Sequence, residues 1–352
     1  MKFTQITIKD IARELGISPS TVSRALKDHP DISKDTKKAV AELAEKLNYQ
    51  PNIVAQNLRA KKTSTIGVII PELVHFFFST VISGIEDIAH NAGYNVILTQ
   101  SGETLEREKS NLKTLINSRV DGMLISLSKE TTEFDHIEAV LAKGIPIIFY
   151  DRSFTSSSGS KGTSSVTVDD FVGAKEATAH LIEQGCRKIA HLQSAKESPI
   201  AKERLRGMLD ALENNRLDFP SEYLVNCNDG TIEEGFDAMS KLLKLPNRPD
   251  GIFANSDVLG MGAINAIKKA GLKIPDDIAV VGFSNWLYSS MVEPPLSSVD
   301  QPGFLMGQEA ARMLIHQIEL LDKDDEAVIV PESKVLKTKL IVRESSLRKK
   351  SI

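Results

Sequence analysis

The chain has 352 residues, 41% hydrophobic and 26% charged, with a net charge of −4. That composition belongs to a soluble protein too long for one hydrophobic core, so two or three domains are expected. No apolar run reaches membrane-spanning length and the opening MKFTQITIKD has no apolar signal region, so a cytoplasmic protein with no membrane role is expected. Cys186 and Cys227 lack metal-like spacing and the seven histidines form no HExxH or Cys/His cluster, which implies free thiols, no metal and no cofactor.

Charge is unevenly placed. Residues 1 to 62 carry 12 Lys and Arg against 7 Asp and Glu, whereas the remainder carries 31 against 40, a head of +5 on a body of −9. Such a chain approaches phosphates through its head.

The head opens with ITIKDIARELGISPSTVSRAL, Ile6 to Leu26. Thr7 and Asp10 are spaced as a capping box that starts a helix with Ile11, Ala12 and Leu15 on its apolar stripe, and Gly16 ends it. Ser18 is placed to cap a second helix whose first residue is Pro19, with Val22, Ala25 and Leu26 facing inward. Two short helices joined at a glycine form a helix-turn-helix. Ser20, Thr21, Ser23 and Arg24 then face outward, small donors and acceptors with one guanidinium, suited to base edges and phosphates in a major groove. A third helix follows from Ser33, with Val40, Leu43, Ala44 and Leu47 at helical spacing. Asn48, Tyr49 and Pro51 stop it. Ile53, Val54, Ala55 and Leu58 fit either a core turn or a short exposed helix.

This head, with NYQPNIVAQNLR at Asn48 to Arg59, resembles the LacI/GalR (lactose and purine repressor) family. The resemblance implies DNA contacts from Thr7, Ser18, Ser20, Thr21, Ser23 and Arg24. It also implies a hinge helix carrying Asn52, Ala55 and Leu58, with Leu58 wedged into the minor groove, where unstacking and bending let more protein surface touch the duplex.

Past Arg59 the chain alternates. Strand-like runs at Thr65–Ile70, Tyr94–Leu98, Gly122–Ile125 and Ile145–Tyr150 are separated by helical patterns near Ser79–Asn91, Thr104–Ser118 and Phe134–Lys143. The rhythm resumes with runs at Lys188–Leu192, Gly251–Ala254 and Ile278–Phe283, interleaved with helices near Phe171–Gln184, Ala201–Asn214, Ile232–Leu243 and Ser256–Ala270. Alternation of this kind predicts parallel sheets covered by helices, with ligands bound at the carboxyl ends of the strands.

The fold class expected is therefore an N-terminal all-α helix-turn-helix head plus hinge helix, followed by an α/β core of two doubly wound parallel-sheet subdomains. The core resembles periplasmic sugar-binding proteins through VDGMLIS (Val120–Ser126), PIIFYDR (Pro146–Arg152), HLIEQGCRKIAHL (His180–Leu192), ERLRGM (Glu203–Met208), FANSDVLGMGAI (Phe253–Ile264), IPDDIAVVGFSN (Ile274–Asn285) and LIVRESS (Leu340–Ser346). On this likeness residues 1–50 are the DNA-binding domain, 51–62 the hinge helix and linker, and 63–352 the effector-binding and dimerisation core. Within the core the resemblance implies an N-subdomain of about 63–162 and 298–328, and a C-subdomain of about 163–297 and 329–352.

The resemblance implies a cleft between them that takes effector on Phe77 and Phe78, Asp151, Arg204, Ser256, Asp257, Ser284 and Trp286. A carboxylate and a guanidinium grip hydroxyls or an anion. Asp151 and Arg204 are alternatively members of a surface or interdomain ion pair, Asp257 a helix cap, and Trp286, the only tryptophan, a stacking platform or a half-buried hinge residue. Ser284 departs from the family, where an aspartate is common, and leaves that position uncharged.

The function implied is a sequence-specific transcription regulator, a repressor, working as a homodimer on roughly palindromic double-stranded operator DNA and controlled by a small molecule, a sugar or sugar derivative. A cytoplasmic sugar-binding protein or an enzyme of similar architecture is the alternative. No GxSxG elbow, Walker loop or GxGxxG supports catalysis, and GMGAI at Gly260–Ile264 sits in a helical pattern where close packing explains it.

Overall fold

The computed structural model describes residues 6–49, 62–74, 76–153, 163–194, 198–324 and 327–348. The chain divides into two compact units, Met1–Thr63 and Ser64–Ile352. Asn52, Ala55 and Leu58, the expected hinge residues, lie outside the described residues.

In the first unit Thr7 donates its N–H and hydroxyl to the Asp10 carboxylate at 3.0 and 2.7 Å, and α1 runs Ile8–Leu15. Gly16, at φ 64°, ends it in the left-handed region that costs glycine nothing. Ser18 accepts from the Thr21 N–H at 3.1 Å and opens α2, Pro19–Leu26. Ser33 does the same for α3, Lys34–Lys46, through the Thr36 N–H at 3.2 Å. The three helices close over Ile11, Ala12, Val22, Ala25, Val40, Leu43 and Ala44. Leu26, expected to face inward, is 38% exposed: the face it occupies is left open in this unit.

The second unit holds two six-stranded sheets. The first contains β1 (Thr65–Ile70), β2 (Asn95–Gln100), β3 (Gly122–Ile125), β4 (Ile147–Tyr150), β5 (Ser164–Val168) and β11 (Ser333–Leu336), in the order β11-β5-β4-β3-β1-β2. The other contains β6 (Ile189–Ser194), β7 (Leu224–Cys227), β8 (Gly251–Ala254), β9 (Ala279–Phe283), β10 (Ser297–Asp300) and β12 (Lys339–Ile341), in the order β12-β10-β9-β8-β6-β7. Pairing is parallel except between β10 and β12.

Strands buried on both faces read as continuous apolar runs, and the pleat sends successive side chains to opposite sides. Ile66, Val68 and Ile70 of β1 join one core while Ile69 joins the core on the other face. The first core includes α4 (Phe76–Asn91) and α11 (Gly303–Lys323), the second α5 (Leu105–Asn117) and α6 (Asp135–Leu141). In the second sheet, Ile252 and Ala254 of β8 join residues of α9 (Ile232–Leu242) and α10 (Asp257–Lys269), while Phe253 faces α7 (Asp170–Glu183) and α8 (Pro199–Asn214).

Helices approach closely only where side chains vanish. A Cβ on Gly84 of α4 would come within 2.0 Å of the Phe304 carbonyl of α11, and one on Gly262 of α10 within 2.2 Å of the Ile232 carbonyl of α9. Gly262 of the GMGAI sequence is thus a packing residue in the middle of α10.

The chain passes between the sheets three times, at 168–170, 300–303 and 336–339. These places differ from the expected subdomain bounds. Residues 164–168 and 333–336 belong with the first sheet, because β5 pairs with β4 and β11 with β5. Residues 298–300 belong with the second, through pairing of β10 with β9. Among the described residues no helix is long and apolar enough to cross a membrane, and no group of His, Cys, Asp and Glu could hold a metal ion.

Candidate functional site

The head presents a polar face along α2. Thr7, Ser18, Ser20 and Arg24 are exposed and Thr21 and Ser23 half-buried, while Val22 and Ala25 are buried between them. The Ser18 hydroxyl lies 2.7 Å from that of Ser20 and 2.8 Å from that of Thr21, so three hydroxyls cluster where α2 begins. The positive end of the helix dipole lies there and favours a phosphate. Arg24, its side chain 59% exposed, reaches only a loose ion pair with Asp31 at 3.9 Å. Such a pair contributes little and leaves the guanidinium able to turn to another acceptor.

In the second unit one cavity of about 150 Å³ gathers Phe77, Phe78, Asp151, Arg204, Ser256, Asp257, Ser284 and Trp286. A volume of ~150 Å³ admits a six-membered ring. The cavity lies at the carboxyl ends of β2, β4, β6, β8 and β9, where residues leaving each strand meet.

From the first sheet come Phe76, Phe77 and Phe78 at the start of α4, with Glu103, Lys129, Asp151 and Arg152. All three phenylalanines reach the cavity because it sits over the end of the helix. Phe77 and Phe78 are also buried, their rings edge to face at 5.3 Å. Arg152 donates to both Glu103 carboxylate oxygens, at 2.7 and 3.0 Å, and to the Leu127 carbonyl. Asp151 sits at φ 61° with its side chain 8% exposed and Arg152 Nε 4.0 Å away. Burial raises its carboxyl to about 6, against the opposing pull of Arg152.

From the second sheet come Ser194, Arg204, Asn255, Asp257, Phe283, Ser284 and Trp286. Arg204 is 5% exposed; its Nε donates to Asp170 at 2.7 Å, its Nη1 to the Asn255 carbonyl at 2.6 Å, and its plane lies 3.6 Å over the Phe283 ring. The ion pair anticipated as an alternative for Arg204 is present, though within the second sheet's half rather than across the cleft, and Nη2 has no partner among the described residues. Asp257 is committed elsewhere too. Its oxygens accept from the Trp286 N–H at 2.5 Å and from the hydroxyls of Ser289 and Ser298 at 2.6 and 2.5 Å, while Ser256 caps α10. Burial still raises the Asp257 carboxyl to about 6. Its work is to hold the turn that carries Trp286. The Ser284 hydroxyl donates to Gln301 at 2.8 Å.

Two neutral groups stand open. Asn255 Oδ1 and Gln301 Nε2 are buried at the cavity without a hydrogen-bond partner among the described residues, an acceptor and a donor, while their other ends are fixed by Ser194 and Ser284. Buried polar atoms of this kind are costly unless something completes them.

A family model described as periplasmic binding proteins and sugar binding domain of LacI family matches residues 63–339, and one described as bacterial regulatory proteins, lacI family, matches residues 7–52. The chain belongs to the LacI family. It is 35% identical over 327 residues to catabolite control protein A of Priestia megaterium (93% of this chain, 96% of that protein) and 34% identical over 340 residues to the ribose operon repressor of Halalkalibacterium halodurans (97% of each). The structure of the lac repressor dimer bound to operator and the anti-inducer ONPF matches with TM-score 0.83 and 27% identity, over 98% of this chain and 100% of that one. This LacI-family chain is thus a DNA-binding transcription regulator with a sugar-binding type of core.

Sequence reasoning missed Glu103, Lys129, Arg152, Asp170, Asn255 and Gln301. Arg152 and Asn255 adjoin residues that had been singled out, Asp151 and Ser256, and proximity to a strand end was the available signal. Glu103 and Gln301 follow β2 and β10 in segments with no composition of their own to mark them.

Proposed function

We propose that the protein is a homodimeric repressor whose head reads operator DNA through Ser20, Thr21, Ser23 and Arg24, with Thr7 and Ser18 on phosphates, and whose cavity takes a small neutral sugar. It acts as a regulator and not as an enzyme. The observation that carries the effector assignment is the state of the cavity's polar groups. The two arginines are paired, with Asp170 and with Glu103, Lys129 lies 4.0 Å from the same Glu103, and the cavity atoms buried without a partner among the described residues are the neutral Asn255 Oδ1 and Gln301 Nε2. A phosphorylated or acidic ligand needs a cation not already neutralised. A sugar needs alternating donors and acceptors with an apolar face, and Phe76, Phe77, Phe78 and Trp286 supply that face. Asp151 adds an acceptor for hydroxyls. The name of the ribose repressor relative is consistent with this class.

The test is a thermal-shift screen of the full-length protein against D-ribose, D-glucose, cellobiose, D-gluconate, D-glucose 6-phosphate and adenine. A neutral sugar raises the melting temperature and the anions do not. Stabilisation by gluconate or the sugar phosphate alone overturns the neutral-sugar reading.

A further inference from the structure

The turn that follows β9 is built against backbone preference. Ser284 and Asn285 are consecutive non-glycine residues at φ 100° and 46°. Such a pair persists only when its surroundings hold it. Ser284 and Trp286 both line the cavity, so whatever fixes the turn fixes two cavity walls.

The fixing groups come from residues near two of the three passages between the sheets. Asn285 Nδ2 donates to the Asp300 carboxylate at 2.8 Å, at the start of the 300–303 passage, and the Ser284 hydroxyl bonds Gln301 within it. Asn285 Oδ1 accepts from Arg343 Nη2 at 2.7 Å, two residues past β12 and beyond the 336–339 passage. Arg343 Nη1 donates in turn to the Leu296 carbonyl at 2.6 Å, and its N–H donates to Ser297 Oγ. The amide orientation follows from chemistry, since a guanidinium only donates and a carboxylate only accepts. The guanidinium bridges two segments in fixed directions that a flexible ammonium matches only in part.

We propose that Arg343 is a positioning residue for the effector cavity: through Asn285 it holds the Ser284–Trp286 turn, and it ties that turn to the segment that follows β12. A change at the 300–303 passage then reaches the same turn through Asp300 and Gln301, and ligand bound against Trp286 acts back on them. The inference rests on reading the cavity as the effector site, but its test needs no ligand, so the two fail separately.

Trp286 is the only tryptophan of the chain and stands half-buried, 4.8 Å from Tyr288 in an edge-to-face contact. Its emission and acrylamide quenching report the turn directly in the full-length protein. Arg343→Met and Asn285→Ala are each expected to shift the emission to the red and increase quenching, with the larger shift in Asn285→Ala because it also loses the bond to Asp300, and the double variant to fall short of the sum of the two because both remove the Arg343–Asn285 bond. Arg343→Lys restores part of the wild-type signal. Arg348→Met is the control: Arg348 bonds the carbonyls of Pro275 and Asp250 from the same C-terminal segment without touching the turn, and its loss leaves Trp286 unchanged. An unchanged Trp286 signal in Asn285→Ala overturns the proposal, even where Arg343→Met fails to fold. Equal shifts in Arg348→Met overturn it as well, since they show general loosening of the segment.

Discussion

Asp151 and Arg204 face the same cavity and have opposite relations to stability. The Asp151 carboxyl is raised by burial from an ordinary 3.8 to about 6, so between those values the folded chain holds a proton that the unfolded chain has released. Its contribution to stability is complete below about pH 4 and is lost as pH rises through 6, an effect on the order of 3 kcal/mol. Asp151→Asn is therefore expected to be more stable than the wild type at pH 7, with the difference vanishing near pH 4; urea unfolding of both across that interval measures it, and parallel curves contradict the assignment. In the proposed complex the ionised carboxylate accepts sugar hydroxyls, so wild-type affinity for the effector falls below pH 6 and that of Asp151→Asn does not follow it. Arg204 behaves as a support. Arg204→Met leaves Asp170 a buried carboxylate without its cation, and a loss on the order of 3 to 5 kcal/mol is expected in chemical denaturation. A variant with unchanged stability would mean that the Asp170 pair is dispensable. Because Arg204 is already bonded and stacked, its removal is a poor probe of ligand charge, whereas Asn255→Ala removes an open acceptor and should weaken a neutral sugar by about tenfold.

Elements were legible where local chemistry decides them. The capping pairs Thr7–Asp10, Ser18–Thr21 and Ser33–Thr36 mark the three head helices, and the apolar runs of β1, β3, β8 and β9 mark strands buried on both faces. The edge strand β2 was visible, but β11 and β12 were not: SKVL and KLI carry alternating or polar residues that any loop carries, and only long-range pairing makes them strands. Helix α11 was missed although its small and apolar residues recur at helical spacing, since the strand before it, SSVD of β10, is too short and polar to announce another βα unit. On α2 the division of labour is testable. Thr21→Ala and Arg24→Ala should weaken operator binding while the thermal midpoint of the head stays within about 0.5 kcal/mol of wild type in equivalent stability, and Ile11→Ala should cost about 2 to 5 kcal/mol of it. Intact DNA affinity in both surface variants would remove α2 from the interface. At the α4–α11 crossing, Gly84→Ala places a methyl group against the Phe304 carbonyl and is expected to destabilise the core by about 1 to 3 kcal/mol. A neutral result in calorimetry would mean that the helices separate without penalty.

For the molecule as a whole, the alternation of strands and helices predicted two parallel sheets, yet not where the chain changes sheet. Those positions depend on which strand β5, β10 and β11 pair with, a property of the assembled sheets and absent from any local pattern. One of these passages carries the functional argument, since Ser284 and Asn285 reach Gln301 and Asp300 there, while Asn285 also meets Arg343 beyond β12. If the cavity controls the head, effector and operator must alter each other's affinity by one common factor, as linkage requires. The most direct measurement titrates a labelled duplex, selected from random sequence by the full-length protein, with and without the sugar that raises its melting temperature, and then titrates that sugar with and without the duplex. The account predicts an equal change in both dissociation constants. A sugar that binds the cavity tightly and leaves operator affinity unaltered would contradict it.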